Sequence, residues 1–406
     1  MNTHFKPTRL SSRLSAVRPS PTIAITRLAN ELRRQGRDVI GLSQGEPDFD
    51  TPAHVKEAAK AAIDAGATKY TDVDGTPELK RAIVGKFRNE NGLSYDVSQI
   101  SVGTGGKQVL YNALCATLDA GDEVIIPAPY WVSYPDMVLL AGGQPVIVPC
   151  DEADGFKLSA PSLRTAITPR TKWLVLNSPS NPTGAGYSAA DLKAIADVLL
   201  DHPQVMVLTD DMYEHIRYDG WQFATIAAVE PRLFDRVLTC NGVSKAYAMT
   251  GWRIGYAAGP ADIITAMGVL QSQSTSNASS VGQAAALAAL TGDQSFISEW
   301  AAIYRARRDK AVALINAVPG LSCRTPGGAF YLFVNCGGLI GKRTPQGKTL
   351  ATDSDVVMFF LENAGVALVA GSAYGVPGFF RMSTATSIDI IEQGIQALQE
   401  VIATLQ

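Results

Sequence analysis

Short runs of apolar, β-branched residues alternate with longer helical segments along most of the chain. Strands are predicted near 38–42, 123–126, 145–148, 172–176, 205–208, 236–240 and 254–258. Helices are predicted near 22–35, 53–65, 77–91, 106–119, 188–200, 260–270, 278–291 and 296–317. This alternation is typical of βαβ units, so it predicts an α/β fold with a mainly parallel sheet wrapped by helices.

The regular alternation of predicted strands and helices ends near residue 300. A strand-like run at 330–334 and a glycine-rich stretch at 336–347 follow the last long helix, which suggests a smaller α+β domain. The expected parts are an N-terminal arm with a segment joining the small domain (1–48), a large domain (49–300) and a small C-terminal domain (301–406).

Charge and cysteine content restrict the partners and the compartment. The 35 basic and 38 acidic residues give a net charge of −3, which makes no case for nucleic acid or an anionic membrane. Five scattered cysteines and four histidines show no metal-ligand spacing, so we expect no metal and a reducing compartment. No signal peptide and no apolar run of roughly 18 residues is found. These features predict a soluble, cytoplasmic protein.

Five motifs carry the candidate chemistry: four follow predicted strands, and the first opens a predicted helix. They occupy 102–107 (VGTGGK), 129–131 (PYW), 177–184 (NSPSNPTG), 207–215 (VLTDDMYEH) and 244–257 (SKAYAMTGWRIGYA). Because the carboxyl ends of parallel strands meet at one edge of a sheet, the motifs should converge on one crevice.

The residues in these motifs suggest the chemistry of the ligand. Glycines before a helix let backbone amides approach an anion, although an ordinary turn explains them equally well. Gln108 after Lys107 matches neither a P-loop nor a dinucleotide fingerprint, so a phosphate is favoured. Partial burial of Lys245 would favour the neutral amine that Schiff-base chemistry needs, and Arg253 can bind a phosphate or carboxylate.

The carboxylates and aromatic side chains complete this picture. A metal site of Asp210, Asp211, Glu214 and His215 has little support, because no second ligand cluster accompanies it. Trp131 can stack on an aromatic ring, and the repeat in 177–184 places Asn181 in the same crevice. Together the motifs predict an aromatic, phosphorylated, carbonyl-bearing ligand.

On these motifs the sequence resembles the class I aminotransferases of fold type I, which use pyridoxal 5′-phosphate (PLP). The resemblance runs through nearly the whole chain. GEPDFDTP from Gly45, GTGGKQ from Gly103 and PAPYWVSYP from Pro127 are similar to the bacterial aspartate aminotransferase branch that also contains prephenate aminotransferases. It implies a seven-stranded, mainly parallel sheet in the large domain.

The resemblance implies a role for each matching residue at the cofactor. Lys245 forms the Schiff base and moves a proton between the substrate Cα and the cofactor C4′. Asp210 pairs with the pyridine nitrogen, Tyr213 and Asn181 bond the 3′-oxygen, and Trp131 stacks on the ring. The implied phosphate ligands are Gly105, Gly106, Ser244, Arg253 and, from the other subunit of a homodimer, Tyr70.

Substrate binding is implied in the same way. Arg381 grips the α-carboxylate, while Lys107, Thr22 and Ser20 meet the side-chain carboxylate. Gly45, Trp131 and Asn181 also belong to the implied substrate site. Gly242 stands where better-known relatives have serine, so one phosphate contact is expected to be missing.

The implied activity is ping-pong transfer of an amino group between aspartate or glutamate and 2-oxo acids such as oxaloacetate and 2-oxoglutarate. Transfer to prephenate or to aromatic 2-oxo acids is an open alternative. A PLP-dependent lyase or decarboxylase, a PLP-sensing regulator and a nicotinamide dehydrogenase are more distant ones.

Overall fold

The computed structural model describes residues 11–17, 19 and 21–406, without the side chains of Ser12, Pro21 and Thr22. The helices are α1 (Pro21–Arg34), α2 (Ala53–Asp64), α3 (Pro77–Asn91), α4 (Gly106–Thr117), α5 (Tyr134–Ala141), α6 (Ala160–Ala166), α7 (Ala189–Leu200), α8 (Ile226–Val229), α9 (Ala261–Ser272), α10 (Ser280–Thr291), α11 (Ser295–Asn316), α12 (Asp353–Phe359) and α13 (Ile388–Ile402). None of the described helices is long and apolar enough to cross a membrane.

The strands are β1 (Ile40–Gly41), β2 (Ile100–Gly103), β3 (Glu123–Ala128), β4 (Gln144–Pro149), β5 (Thr171–Asn177), β6 (Met206–Asp210), β7 (Val237–Gly242), β8 (Gly255–Ala258), β9 (Tyr331–Asn335), β10 (Val366–Ala367), β11 (Val369–Ala370) and β12 (Phe379–Ser383). Seven of them form one sheet in the order β2-β8-β7-β6-β5-β3-β4. The predicted α/β fold with a seven-stranded, mainly parallel sheet is confirmed.

One strand of this sheet, β8, runs antiparallel to both of its neighbours. A parallel return needs a crossover, usually a helix, but only a loop with one short 3₁₀ turn separates β7 from β8. The chain therefore turns straight back, and this loop (243–254) carries Lys245 and Arg253 across the end of the sheet.

Both faces of the sheet are covered, which explains the apolar runs that predicted the strands. In β5, Trp173 and Val175 pack into the core on one face, whereas Leu174 and Leu176 pack into the core on the other. Strands buried on both sides read as continuous apolar sequence rather than as alternation.

A separate core lies in the C-terminal part of the chain. There, β9, β11 and β12 form an antiparallel sheet, and α11, α12 and α13 pack around it with Leu42 from the N-terminal segment. β1 also pairs in parallel with β10, which ties that segment to the C-terminal part. Helix α11 passes unbroken through residue 300, and the expected domain boundaries stay predictions.

Candidate active site

A cavity of about 380 Å³ opens at the carboxyl ends of β5, β6 and β7, beside the start of α4. The predicted residues that line it are Gly45, Gly106, Lys107, Trp131, Asn181, Asp210, Tyr213, Ser244, Lys245, Arg253 and Arg381. The structure thus brings together residues that are up to 336 positions apart, from Gly45 to Arg381.

Lys245 lies in the loop between β7 and β8 and is largely buried. Its Nζ donates a hydrogen bond to the carbonyl oxygen of Gly45 at 2.5 Å. Burial lowers the pKa of the Lys245 amine to about 8, and the positive charge of Arg381 acts in the same direction. A sizeable fraction of neutral amine is therefore present near neutral pH, as a nucleophile or a base requires.

Asp210 ends β6 with its carboxylate buried at the floor of the cavity. Oδ2 accepts a hydrogen bond from the Tyr134 hydroxyl at 2.7 Å. The Asn177 side chain donates to the Asp210 carbonyl at 2.7 Å, which fixes the backbone at the strand end. Burial raises the pKa of the Asp210 carboxyl, while the bond from Tyr134 and the charge of Lys245 oppose the rise.

Arg381, in β12, is a buried cation whose described hydrogen bonds go to neutral oxygens. It donates to Asn181 Oδ1 at 3.0 Å and to the Ser43 carbonyl at 2.6 Å, and Nε has no hydrogen-bond partner in the structure. The guanidinium also lies 4.5 Å from the ring centre of Tyr331. A buried guanidinium without a carboxylate on it is suited to bind an anion, because burial of an unpaired charge is costly.

The start of α4 forms a cradle of backbone. Gly105 has a φ of 80°, and none of the described side chains caps the helix, so its first amides have no side-chain acceptor where Gly106 lines the cavity. A Cβ on Gly255 would lie 2.2 Å from the Gly106 nitrogen, so two glycines allow α4 and β8 to meet. Arg253, at a left-handed φ of 56°, also approaches this cradle: a Cβ on Gly105 would lie 2.3 Å from its Nη2.

Lys107, the second residue of α4, lies against Trp131 in the same cavity. The Lys107 ammonium lies 4.9 Å from the centre of the Trp131 ring, a cation–π contact. Partial burial lowers the pKa of Lys107, and the nearby charge of Arg253 adds to the effect. Anions that enter this side of the cavity meet two cations.

Some predicted site residues are not among those that line the cavity. Gly105 lies directly beside it at the start of α4, whereas Tyr70 is 89% exposed on the surface of the chain. Ser20 and the side chain of Thr22 lie outside the described residues. Gly242 has little room for a larger residue, because a Cβ there would be 3.1 Å from the carbonyl oxygen of Ile254.

The sequence did not single out several residues that line the cavity, among them Tyr134, Tyr331 and Glu46. The Tyr331 hydroxyl shares a hydrogen bond with the Tyr213 hydroxyl at 2.8 Å. Tyr134 lies within the quoted PAPYWVSYP motif, which was the one available signal for it. No local pattern marks Tyr331, since it reaches the cavity from the small antiparallel sheet.

Glu90, Glu214 and His215 bring ligand-type atoms within 4.8 Å of one another outside the cavity. The Glu214 carboxylate is already engaged there: Lys86 and Asn241 donate to Oε1, and Asn91 donates to Oε2. These donors occupy the oxygens that a metal would need.

A largely buried amine among anion-binding groups, at the carboxyl edge of an α/β sheet, defines an enzyme of amine and carbonyl chemistry. The chain belongs to the aminotransferase class I and II family, whose sequence model matches residues 37–398. The predicted family and enzyme class are confirmed: the chain is an aminotransferase. This finding favours the aminotransferase over the regulator and the dehydrogenase.

Individual relatives are similar over almost their full length. The aspartate/prephenate aminotransferase of Cereibacter sphaeroides is 57% identical over 98% of this chain and 99% of its own. The crystal structure of the aspartate aminotransferase from Rhizobium meliloti is 54% identical, with a TM-score of 0.96 over 98% of this chain and 100% of the other. The Thermus thermophilus aspartate aminotransferase with maleate is 43% identical, with a TM-score of 0.91 over 97% and 100%.

Proposed function

We propose that this aminotransferase uses PLP to move the amino group of aspartate or glutamate to 2-oxo acids in a ping-pong reaction. The observation that carries the proposal is the largely buried Lys245 amine, which shares one cavity with the buried carboxylate of Asp210 and the buried cation of Arg381. A carbonyl cofactor and an amino acid need these three kinds of group.

The residues present fit PLP. The uncapped start of α4, the cradle that a Cβ on Gly255 would fill, and the Arg253 guanidinium suit a phosphate dianion. Asp210 suits a protonated ring nitrogen, Trp131 offers a flat ring, and Tyr213 and Asn181 offer polar groups for the ring oxygen. When bound, PLP supplies an electron sink that makes the substrate's α-proton acidic.

Three side chains of the protein have separate roles in the reaction. Arg381 binds and orients the α-carboxylate through its planar fork. Lys245 Nζ takes the proton from the substrate α-carbon and returns a proton on the way to product, which its pKa of about 8 favours near neutral pH. The hydroxyl of Tyr213, which shares a hydrogen bond with the hydroxyl of Tyr331, would hydrogen-bond the ring oxygen.

Lys107 supports a dicarboxylic substrate, because its ammonium lines the same cavity as the guanidinium of Arg381 and offers a second site for a carboxylate. Thr22 and Ser20 complete that second site in our proposal. The relatives named for aspartate, and the Thermus thermophilus structure named with maleate, a dicarboxylate, support the same substrate class.

Prephenate is the second candidate acceptor, with aromatic 2-oxo acids beside it. The Cereibacter sphaeroides relative is named for both aspartate and prephenate. The lining of the cavity also includes the apolar side chains of Ile23, Leu110 and Val132, in addition to Trp131. A ring that carries a carboxylate could contact this apolar wall and the lysine together.

We propose a homodimer with shared sites, to which Tyr70 contributes from the neighbouring subunit. The 89% exposed side chain of Tyr70 supports this, because a large aromatic group on the surface is available to a second copy. All five cysteines are free, which suits a reducing cytoplasm.

Half-reaction spectra test the proposal. Purified protein with PLP should show a visible absorption band that disappears when aspartate is added, because the amino group is transferred to the cofactor, which stays bound in its amine form. Initial rates with oxaloacetate, 2-oxoglutarate, phenylpyruvate and prephenate then rank the acceptors. Loss of carbon dioxide or ammonia from aspartate, without amino transfer, would contradict the proposal and indicate the lyase or decarboxylase alternative.

A further inference from the structure

Tyr134 contacts two groups that the proposed function places around the cofactor ring. It is only 3% exposed, and its hydroxyl donates to Asp210 Oδ2 at 2.7 Å. Its ring meets Trp131 edge to face, with ring centres 5.3 Å apart and planes at 82°. Its backbone amide also donates to the Trp131 carbonyl at 3.0 Å, at the point where α5 begins.

The hydroxyl of Tyr134 is the strongest support that Asp210 has in the described structure. Among the described residues, the only other hydrogen bond to this carboxylate comes from the Met212 amide, at a long 3.4 Å. The titratable groups that face Asp210 are Tyr134 from α5, Cys240 from β7, Tyr213 from its own loop and Lys245 from the loop after β7.

We propose that Tyr134 is a positioning residue, which fixes the carboxylate of Asp210 with its hydroxyl and the indole of Trp131 with its ring. The inference rests on the proposed function, in which Asp210 meets the ring nitrogen of PLP and Trp131 its face. One side chain thereby couples the position of Asp210, at the ring nitrogen, to the position of Trp131, on the ring face.

The hydroxyl also keeps Asp210 charged. Burial raises the pKa of the Asp210 carboxyl, and the bond from Tyr134 is the largest influence that opposes it. Without that bond the carboxylate gains a proton at a higher pH. A protonated Asp210 no longer attracts a protonated ring nitrogen, so the affinity for PLP falls on the acid side.

Tyr134→Phe separates the two roles, because it keeps the ring against Trp131 and removes only the hydroxyl. We expect the PLP dissociation constant, measured by equilibrium dialysis, to rise about tenfold at neutral pH. The acid limb of its pH dependence should move to higher pH, because loss of the hydrogen bond raises the pKa of the Asp210 carboxyl. Tyr95→Phe is the matched control: it removes a buried hydroxyl, bonded to Thr239, away from the cavity.

A double-mutant cycle separates positioning of Asp210 from general destabilisation. In the Asp210→Asn background, Tyr134→Phe should change the PLP dissociation constant less than twofold. An equal rise in both backgrounds, or an unmoved acid limb, would overturn the inference even though the wild type binds PLP normally. Failure of the wild type to bind PLP would instead overturn the proposed function.

Discussion

Tyr213 and Glu214 are neighbours in the loop after β6, yet their side chains lie in opposite kinds of surroundings. Tyr213 lines the cavity with Lys245 and Arg381, where the Arg381 Nε has no hydrogen-bond partner and the Lys245 amine is shifted toward neutrality. Glu214 lies in a closed network on the other side of the loop.

In that network the carboxylate of Glu214 accepts hydrogen bonds from three side chains. Lys86 and Asn241 bond Oε1 of Glu214, and Asn91 bonds Oε2. Burial alone would raise the pKa of Glu214, but the charges of Lys86 and His215 and the hydrogen bonds to the carboxylate together outweigh it, and the pKa falls to about 2. The satisfied carboxylate of Glu214 holds the loop on one side, whereas on the other side Tyr213 faces a cavity in which Arg381 keeps donors free for a ligand.

The largest effect is expected on the cavity side, from Lys245→Ala. It removes the amine that accepts the substrate's α-proton, and general-base catalysis is worth about 10²- to 10⁴-fold in rate. Transamination of aspartate should fall by at least about a thousandfold, together with the visible band of the cofactor. Circular dichroism should remain that of the wild type; steady-state turnover at an undiminished rate would refute the assignment of Lys245.

Arg381→Lys tests whether the unpaired cation is built for a carboxylate. Lysine keeps the charge but loses the planar fork, so KM for aspartate should rise roughly a hundredfold, in line with about 2–5 kcal/mol for a truncated buried charge contact. PLP affinity should change little. A KM close to that of the wild type, measured by initial rates, would remove Arg381 from the substrate site.

In the hydrogen-bonded network of Glu214, the substitution Glu214→Gln should lower the stability of the fold rather than the catalytic rate. It leaves the Lys86 ammonium buried without its main partner, a change that costs about 3–5 kcal/mol. We expect about 3 kcal/mol, the lower end, because Glu90 lies 3.6 Å from Lys86 and compensates in part. Urea denaturation measures the loss in unfolding free energy, while kcat of the folded variant should stay near that of the wild type.

The pH dependence sharpens this comparison. A carboxyl whose pKa is lowered by folding, here from 4.5 to about 2, stabilises the protein above the unfolded value and loses that effect as the pH falls through the folded one. The difference in unfolding free energy between wild type and Glu214→Gln should therefore be constant above about pH 5 and shrink toward pH 2. Lys86→Met added to Glu214→Gln should restore part of the loss; a further loss of equal size would contradict the pairing.

The site on the cavity side of the loop could largely be predicted from the sequence. Lys245, Asp210 and Asn181 each follow a strand of the parallel sheet, and strand ends converge on one edge whatever the loops do. Six strands of the large sheet were predictable because apolar runs mark them, whereas the count of seven came from the family resemblance and no run was assigned to β2. The direction of β8 was not predictable, because it depends on a loop that replaces a crossover helix.

Residues that act through tertiary contacts escaped the prediction. Tyr134 begins a helix of eight residues, too short for a helical period to appear, and its contact with Asp210 spans 76 positions. Tyr331 reaches Tyr213 from another sheet, across 118 positions. The end of α4 was placed two residues too late for a local reason: Leu118 is already extended, and Gly121 belongs to the turn after it.

Lys107 gives the smallest expected effect, because this cation at the cavity is more exposed than Arg381. Lys107→Ala should raise KM for aspartate and glutamate about tenfold, since one charge-assisted hydrogen bond to the distal carboxylate is lost. KM for phenylalanine and tyrosine should change less, because their rings contact Trp131 and the apolar wall. Lys107→Gln is the control, as it keeps length and a donor but not the charge. Equal increases for acidic and aromatic substrates would mean that Lys107 does not select the substrate, and that the discrimination lies with α1, where Ile23 and Thr26 line the same cavity.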